Sequence, residues 1–225
     1  MSRKPNLEEY YTSEKIADWI KKALGNIDRE FVKNDITYWI DGGTLLGQVR
    51  QGGLMKWDDD ADLVILKEDI DKVWDLEDTF KKLGYKLAWG IWGESIIKLY
   101  DPNGTTIKKP KMRTKGHTGK RDYKYPYIDI QIIEDNKKGK YVYNPALSSF
   151  YDNKFYYKTD EVLPLKRVKF SGLTLNAPKN PKPYLDRGYK NWKNEVFMGG
   201  FSHRLERKQK GIKTQMTPFL KKEIY

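Results

Sequence analysis

Asp58, Asp60 and Asp62 stand at alternate positions of WDDDADLVIL (57–66), directly before an apolar run, in a chain of formal net charge +12. Residues two apart on an extended backbone share a face. The three carboxylates therefore converge, while Asp59 points away and stays solvated. Gathering unpaired carboxylates is costly unless a cation neutralises them. Mg2+ and Mn2+, hard ions that prefer carboxylate, phosphate and water oxygens, suit such a set. The plainer alternative is a solvated acidic turn ahead of a strand.

Another acid stands on a different expected strand. In YPYIDIQII (125–133), alternation puts Tyr127, Asp129 and Gln131 on one face and Ile128, Ile130 and Ile132 on the other. Neighbouring strands lie about 4.8 Å apart, so Asp129 could complete the same metal site; otherwise it is a surface-facing strand acid. Two ions about 3.5–4 Å apart would grip both oxygens of an in-line phosphoryl displacement. Gly42, Gly43 and Thr44 supply the other half, a glycine turn into a helix start whose N–H groups and hydroxyl approach a phosphate. Strand, Gly-Gly-Thr turn, helix, then strand-borne alternate carboxylates is the order of a nucleotidyltransferase-type site.

These residues need elements to hold them. Thr12 or Ser13 caps a helix with Ile16, Trp19, Ile20, Ala23 and Leu24 on one stripe, ending near Gly25. ITYWI (36–40) reads as a strand, and TLLGQVR (44–50) as a short helix with Thr44 at its cap. ADLVIL (61–66) is a central strand, followed by one amphipathic helix through Ile70, Val73, Trp74, Phe80 and Leu83 to a Gly84 cap. YKLAW (85–89) and SIIKLY (95–100) form a strand pair, and DPNG (101–104) signals a turn. RVKFSGLTLNAP (167–178) reads as a hairpin turning at Ser171-Gly172, and 181–192 as a short helix ending near Gly188. The expectation is a single α/β (α+β) domain over 1–225. A mixed sheet is flanked by helices, with a helical lead-in at 1–35, a C-terminal hairpin and helix subregion, and a basic, exposed tail at 193–225.

The 225 residues contain no cysteine, which excludes disulfides, thiolate metal sites and a cysteine nucleophile. The first residues lack the apolar centre of a signal peptide, and no run approaches a membrane span. The expectation is a soluble protein, cytoplasmic by default. Positive charge points to an anionic partner or simply to solubility. The stretch 107–124 holds eight Lys or Arg against one Asp. It reads as a surface loop that either folds over an anionic ligand or has no role.

The stretch GTLLGQVRQGGLMKWDDDAD (43–62) resembles the signature of the LicD/fukutin family, roughly GTLLG..R..G...WDDDID, and departs from it chiefly at Ala61. IDIQII (128–133) resembles the family's later acidic strand. LPLKRVKFSGLTLNAPKNPKPYLDRGYKNW (163–192) resembles its C-terminal pattern, a proline-leucine hairpin followed by a proline and YL…YG..W. The likeness runs from about Ile36 to Trp192. It implies a nucleotidyltransferase-like fold and transfer of a phosphorylated alcohol, such as phosphocholine, ribitol phosphate or glycerol phosphate, from a CDP-activated donor to a glycan. It implies Asp58, Asp60 and Asp62 as metal ligands, Gly43 and Thr44 as donor-phosphate contacts, and Arg50 as a phosphate or structural anchor. The cysteine zinc site of some animal relatives has no counterpart.

The site expected from residues and resemblance together has Asp60, Asp62 and Asp129 at the reaction, with Asp58 joining them on Mg2+ or Mn2+. Gly42, Gly43, Thr44 and Arg50 meet the substrate. Of the remaining polar residues, Lys98 is expected to be an exposed lysine, the alternative being a phosphate contact; His117 is read as a loop histidine, the alternative being acid-base chemistry, and His203 lies in the tail. Trp57 is expected to pack under the metal loop, the sharper alternative being to stack on a base, and specificity is expected from the basic loop and the Tyr-rich stretch 141–157. One competing reading is a metal-dependent glycosyltransferase using a nucleotide-sugar, against which the early Gly-Gly-Thr turn speaks. The other is a non-catalytic binder of anionic polymer. The lack of aromatics interleaved before Tyr123 makes single-stranded nucleic acid an unlikely partner.

Overall fold

In a computed structural model describing residues 6–107 and 122–225, the chain builds a mixed α/β architecture around one twisted sheet. In chain order the elements begin with α1 (Glu14–Lys33), β1 (Tyr38–Ile40), α2 (Gly42–Gln51) and β2 (Ala61–Leu66). Helices α3 (Ile70–Asp75) and α4 (Glu77–Lys82) lead to β3 (Lys86–Gly90), β4 (Gly93–Thr106), β5 (Lys124–Asp135) and β6 (Lys140–Tyr143). Next come α5 (Pro145–Phe150), β7 (Tyr157–Lys158), α6 (Thr159–Val162), the hairpin β8 (Lys166–Phe170) and β9 (Leu173–Ala177), and α7 (Lys182–Gly188). Four short strands follow: β10 (Glu195–Met198), β11 (Phe201–Ser202), β12 (Arg207–Lys208) and β13 (Ile212–Gln215).

The main sheet runs β1-β2-β5-β4-β3, with β6 on the far end of β5 and β7 on β6. Among the described residues only β2 and β5 pair in parallel, and their register sets Asp62 opposite Asp129. Strand β4 pairs antiparallel with β5 and sets Lys98 opposite Asp129 on the other side. β5 is thus central, and Ile128 and Ile130 are fully buried, as befits a strand covered on its apolar face.

Several elements differ from the sequence-based expectation. Helix α1 has Ser13 at its cap but runs through Gly25 to Lys33. Glycine inside a helix costs about 1 kcal/mol relative to alanine. The two extra turns bury Ile27 and Phe31 completely, at about 1.5–3 kcal/mol each, so packing wins. The expected single helix after β2 is broken at Leu76 into α3 and α4, though Val73, Leu76 and Phe80 all stay buried across the break. Helix α2 begins at Gly42, so Thr44 lies inside its first turn and Asp41 holds the capping position.

DPNG does not end a strand. Tyr100 pairs with Tyr127 and Thr105 with Tyr125, so residues 101–104 bulge out of a continuing β4. The Asp101 side chain accepts from Asn103 N at 2.8 Å. A Cβ on Gly104 would lie 2.2 Å from the Tyr125 carbonyl oxygen, so only glycine fits there.

The segment 193–225, expected as an exposed tail, is folded onto the body. Val196, Met198 and Leu220 are buried, and β10 pairs with β13. Tyr225 N donates to Leu54 O at 3.0 Å, closing the chain end against the loop that leads to the aspartates. Its charges suggest exposure, but three apolar side chains among them supply enough burial to dock it. The basic loop from Lys108 to Arg121, including His117, lies outside the described residues. No described helix is long and apolar enough to cross a membrane.

Candidate active site

The apolar run 61–66 makes β2 a central strand, with Asp60 directly before it and Asp62 near its start, beside Asp129 in the middle of β5. There Asp60, Asp62 and Asp129 each offer an oxygen, all within 4.8 Å of one another. A second group, Asp59, Asp60 and His203, meets the same criterion, so Asp60 belongs to both. Asp58 belongs to neither, and packs instead over α2: a Cβ on Gly43 would lie 3.1 Å from Asp58 Oδ2. Asp59, expected to point into solvent, faces His203, with Oδ1 at 2.6 Å from Nδ1 and Oδ2 accepting from the His203 N–H at 3.2 Å. His203 Nε2 lies 3.0 Å from Asp60 Oδ2.

The glycine turn fits closely beneath these acids. Gly42 has φ +51°, and a Cβ there would meet Asp62 Oδ2 at 2.5 Å. Gly43 N donates to the same oxygen at 3.3 Å. Thr44 is 1% exposed and its Oγ1 accepts from Asp62 N at 2.8 Å, so its hydroxyl ties α2 to β2 rather than standing free for a phosphate. Gln131 donates to Asp62 Oδ1 at 3.2 Å. Arg50 lies at the end of α2, where Nη2 donates to Glu195 O at 3.4 Å; burial brings its guanidinium down to about 10. That contact favours the anchoring half of its expected role.

Lys98 corrects a further expectation. It is 3% exposed, with Nζ 2.5 Å from Asp129 Oδ1 and 3.8 Å from Glu206 Oε1, and it lies 3.5 Å from the Tyr127 ring centroid. Alternation did turn it away from Ile97 and Leu99, but in a strand flanked on both edges the opposite face is the site, not water. Glu206 Oε1 accepts from Tyr123 OH at 2.6 Å.

Electrostatics follow from this crowding. Burial, then repulsion from Asp62, pushes Asp58 up to about 7. Burial and the nearby Asp58 and Asp59 lift Asp60 to about 8 against the opposing pull of His203. Asp62 is raised well above the carboxylate range by burial and by Asp60 and Asp129. Burial lowers His203, but Asp60, Asp59 and Asp129 outweigh it and bring the imidazole up to about 10. Such a set favours a bound cation, and its all-oxygen trio matches hard divalent ions.

Two cavities adjoin the acids. A cleft of about 880 Å³ has Asp59 on its wall, with Tyr11, Trp19, Trp57, Tyr125 and Phe201. A smaller one, about 60 Å³, lies on the other side, walled by Asp62 and the tyrosine-rich region. Asp41, at the end of β1, is fully enclosed there: Oδ1 accepts from Tyr157 OH and Oδ2 from Tyr143 OH, each at 2.5 Å. Sequence reasoning missed Asp41, Asp59, Lys98, His203 and Glu206. A lysine inside an otherwise apolar strand was a usable signal for Lys98. His203 offered none, being 144 residues from Asp59.

The sequence model described as LicD/FKTN/FKRP, nucleotidyltransferase domain, matches residues 35–180. An uncharacterized protein of Rickettsia typhi is 31% identical over 186 residues, which is 83% of this chain and 50% of that protein. The chain thus spans about half the length of this relative. Human ribitol 5-phosphate transferase FKRP is 49% identical over 35 residues, 16% of this chain and 7% of that one. The crystal structure of lincosamide antibiotic adenylyltransferase LnuA, lincomycin-bound, superposes with a TM-score of 0.40 at 16% identity, covering 75% of this chain and 81% of that one.

Proposed function

This chain belongs to the LicD/FKTN/FKRP family of nucleotidyltransferase domains, and from that premise we propose that it transfers a phosphorylated alcohol from a CDP-activated donor to a glycan hydroxyl, using Mg2+ or Mn2+. The observation that carries the reading is the convergence of Asp60, Asp62 and Asp129 oxygens within 4.8 Å beside a glycine turn. The name of the FKRP relative, a ribitol 5-phosphate transferase, fits the same class of reaction.

In this reading Asp60, Asp62 and Asp129 hold the ion, which when bound polarises the donor diphosphate and offsets charge on the departing CMP. Gln131 and the Gly43 amide fix the Asp62 carboxylate, and Lys98 fixes Asp129. Gly42 and Gly43 bring the backbone of α2 close to the donor phosphates, while Thr44 and Arg50 keep that helix in place. The acceptor approaches along the large aromatic cleft that passes Asp59. Its hydroxyl oxygen bonds to the phosphorus bearing the alcohol as the bond from that phosphorus to the CMP oxygen breaks. A neighbouring carboxylate takes the hydroxyl proton. Catalysis here is positioning plus electrostatics.

Isothermal titration of CDP-alcohols and UDP-sugars, with and without Mg2+ or Mn2+, tests the reading. Metal-dependent binding of a CDP-alcohol that disappears in a folded Asp60→Ala/Asp62→Ala variant is the expected result. Preference for a UDP-sugar would transfer the case to glycosyl transfer, and no metal-dependent nucleotide binding would overturn it.

A further inference from the structure

The turn between β11 and β12 faces inward at both ends. Phe201 pairs with Lys208 and Ser202 with Arg207, which leaves His203 to Glu206 to reverse the chain. The middle two, Arg204 and Leu205, are exposed, as in an ordinary surface turn. The outer two are not: the Glu206 side chain is 4% exposed and that of His203 23%. Polar groups withdrawn from water need partners, and these two find theirs among the acids of the site and their counter-charge. Glu206 Oε1 lies 3.8 Å from Lys98 Nζ, the cation paired with Asp129. His203 is fixed by Asp59, through ring Nδ1 at 2.6 Å and the backbone N–H at 3.2 Å. That leaves Nε2 against Asp60 Oδ2, 3.0 Å away.

We propose that His203 is a positioning residue for the metal site: Asp59 holds the imidazole, and the imidazole holds Asp60 Oδ2 so that Asp60 turns its other oxygen to the ion. This rests on the phosphotransferase reading for the ion itself. Of the trio, Asp62 is steadied by Gln131 and the Gly43 amide, and Asp129 by Lys98. Asp60 stands just outside β2, and His203 supplies the corresponding support from a segment far along the chain. A carboxylate already fixed in its ligating pose loses less freedom when an ion arrives, and binds it more tightly for that reason. Partners of this kind, bonded to a ligand rather than to the metal, commonly set affinity by an order of magnitude or more. Asp59, Asp60 and His203 could also hold an ion among themselves. Each ring nitrogen already lies against a carboxylate, however, so a direct ligand role would first have to break one of those contacts.

The test is Mn2+ titration of the 225-residue chain, followed by electron paramagnetic resonance, in His203→Gln and His203→Asn. The glutamine amide nitrogen can stand where Nε2 does, and the asparagine one where Nδ1 does. Both side chains are uncharged, so their difference reads the contact to Asp60 and not the charge of the ring. His203→Gln is expected to bind Mn2+ about ten-fold or more tighter than His203→Asn. Leu205→Ala, on the outward side of the same turn, should match the wild type. Equal affinities in the glutamine and asparagine variants, or a comparable loss in Leu205→Ala, overturn the assignment and leave the metal site standing. No Mn2+ binding by the wild type removes both. If a variant does not fold, electron spin echo spectra of the Mn2+-loaded wild type, labelled with 15N-histidine, decide. Weak coupling to a histidine nitrogen that does not touch the ion is expected, and a directly bound nitrogen, or no coupling, overturns the proposal.

Discussion

Lys98 Nζ and Asp129 Oδ1 face each other at 2.5 Å across β4 and β5, and both side chains are largely withdrawn from water. The lysine is the built-in counter-charge of an acid that a metal would otherwise have to neutralise alone. Breaking such a buried pair from one side typically costs about 3–5 kcal/mol. Lys98→Met is therefore expected to lower the thermal midpoint of the metal-free protein, with a stability loss of about 3 kcal/mol. Mn2+ should restore more of the midpoint in the variant than it adds to the wild type. Equal metal increments in the two proteins would remove the counter-charge role.

Stability should fall as pH rises in the metal-free protein. Asp58 at about 7 and Asp60 at about 8 stand above 3.8, and His203 at about 10 stands above 6.5. All three bind more protons folded than unfolded, which makes the slope of stability with pH negative. The carboxyl part is lost as pH climbs from 3.8 through about 8, and the histidine part from 6.5 through about 10. Melting curves from about pH 5 to 9 should show a steady decline, flatter in Asp60→Asn. Added Mg2+ should stabilise more at the alkaline end, where fewer protons compete with it. A midpoint that rises with pH would contradict this.

Asp60 is common to both groups that could hold a metal ion and Asp58 to neither. Asp60→Asn is expected to weaken Mn2+ binding by about 100-fold or more. Asp58→Asn should lie within the roughly 10–100-fold range of an outer partner. Electron paramagnetic resonance titration of Mn2+ measures both, and a larger loss from Asp58 would reverse the assignment.

Gly42→Ala places a methyl group 2.5 Å from Asp62 Oδ2 at a backbone φ of +51°, whereas Gly52→Ala, at φ +83°, meets nothing within 4 Å. Both carry backbone strain of about 1–3 kcal/mol, but only the first displaces a carboxylate of the proposed metal site. Both variants should melt lower, and only Gly42→Ala should lose Mn2+ affinity. Unchanged affinity in Gly42→Ala would show that Asp62 moves freely.

Much of the frame was legible because it depends on local chemistry. Alternation in ADLVIL and YIDIQII set those strands and the faces of Asp62 and Asp129. Ser171 and Gly172, with φ 47° and 84°, turn the hairpin where the residue types said they would. The family, too, was legible in WDDDAD and the glycine turn. Element lengths were less so. Gly25 and DPNG are local signals for an ending, and burial of Ile27 and Phe31, or pairing along β5, overrode each of them.

What the sequence alone determined was therefore a local arrangement, a set of alternate carboxylates beside a glycine turn, because periodicity and backbone sterics act over a few residues. Only the tertiary structure decided the partners of those carboxylates. The parallel register of β2 with β5 brought Asp129 to Asp62, β4 turned Lys98 inward as its counter-charge, and the docked C-terminal segment delivered His203 to Asp59 and Asp60. Those contacts join residues far apart in the chain, held together by burial of apolar surface that carries no local signature of the charges it brings along.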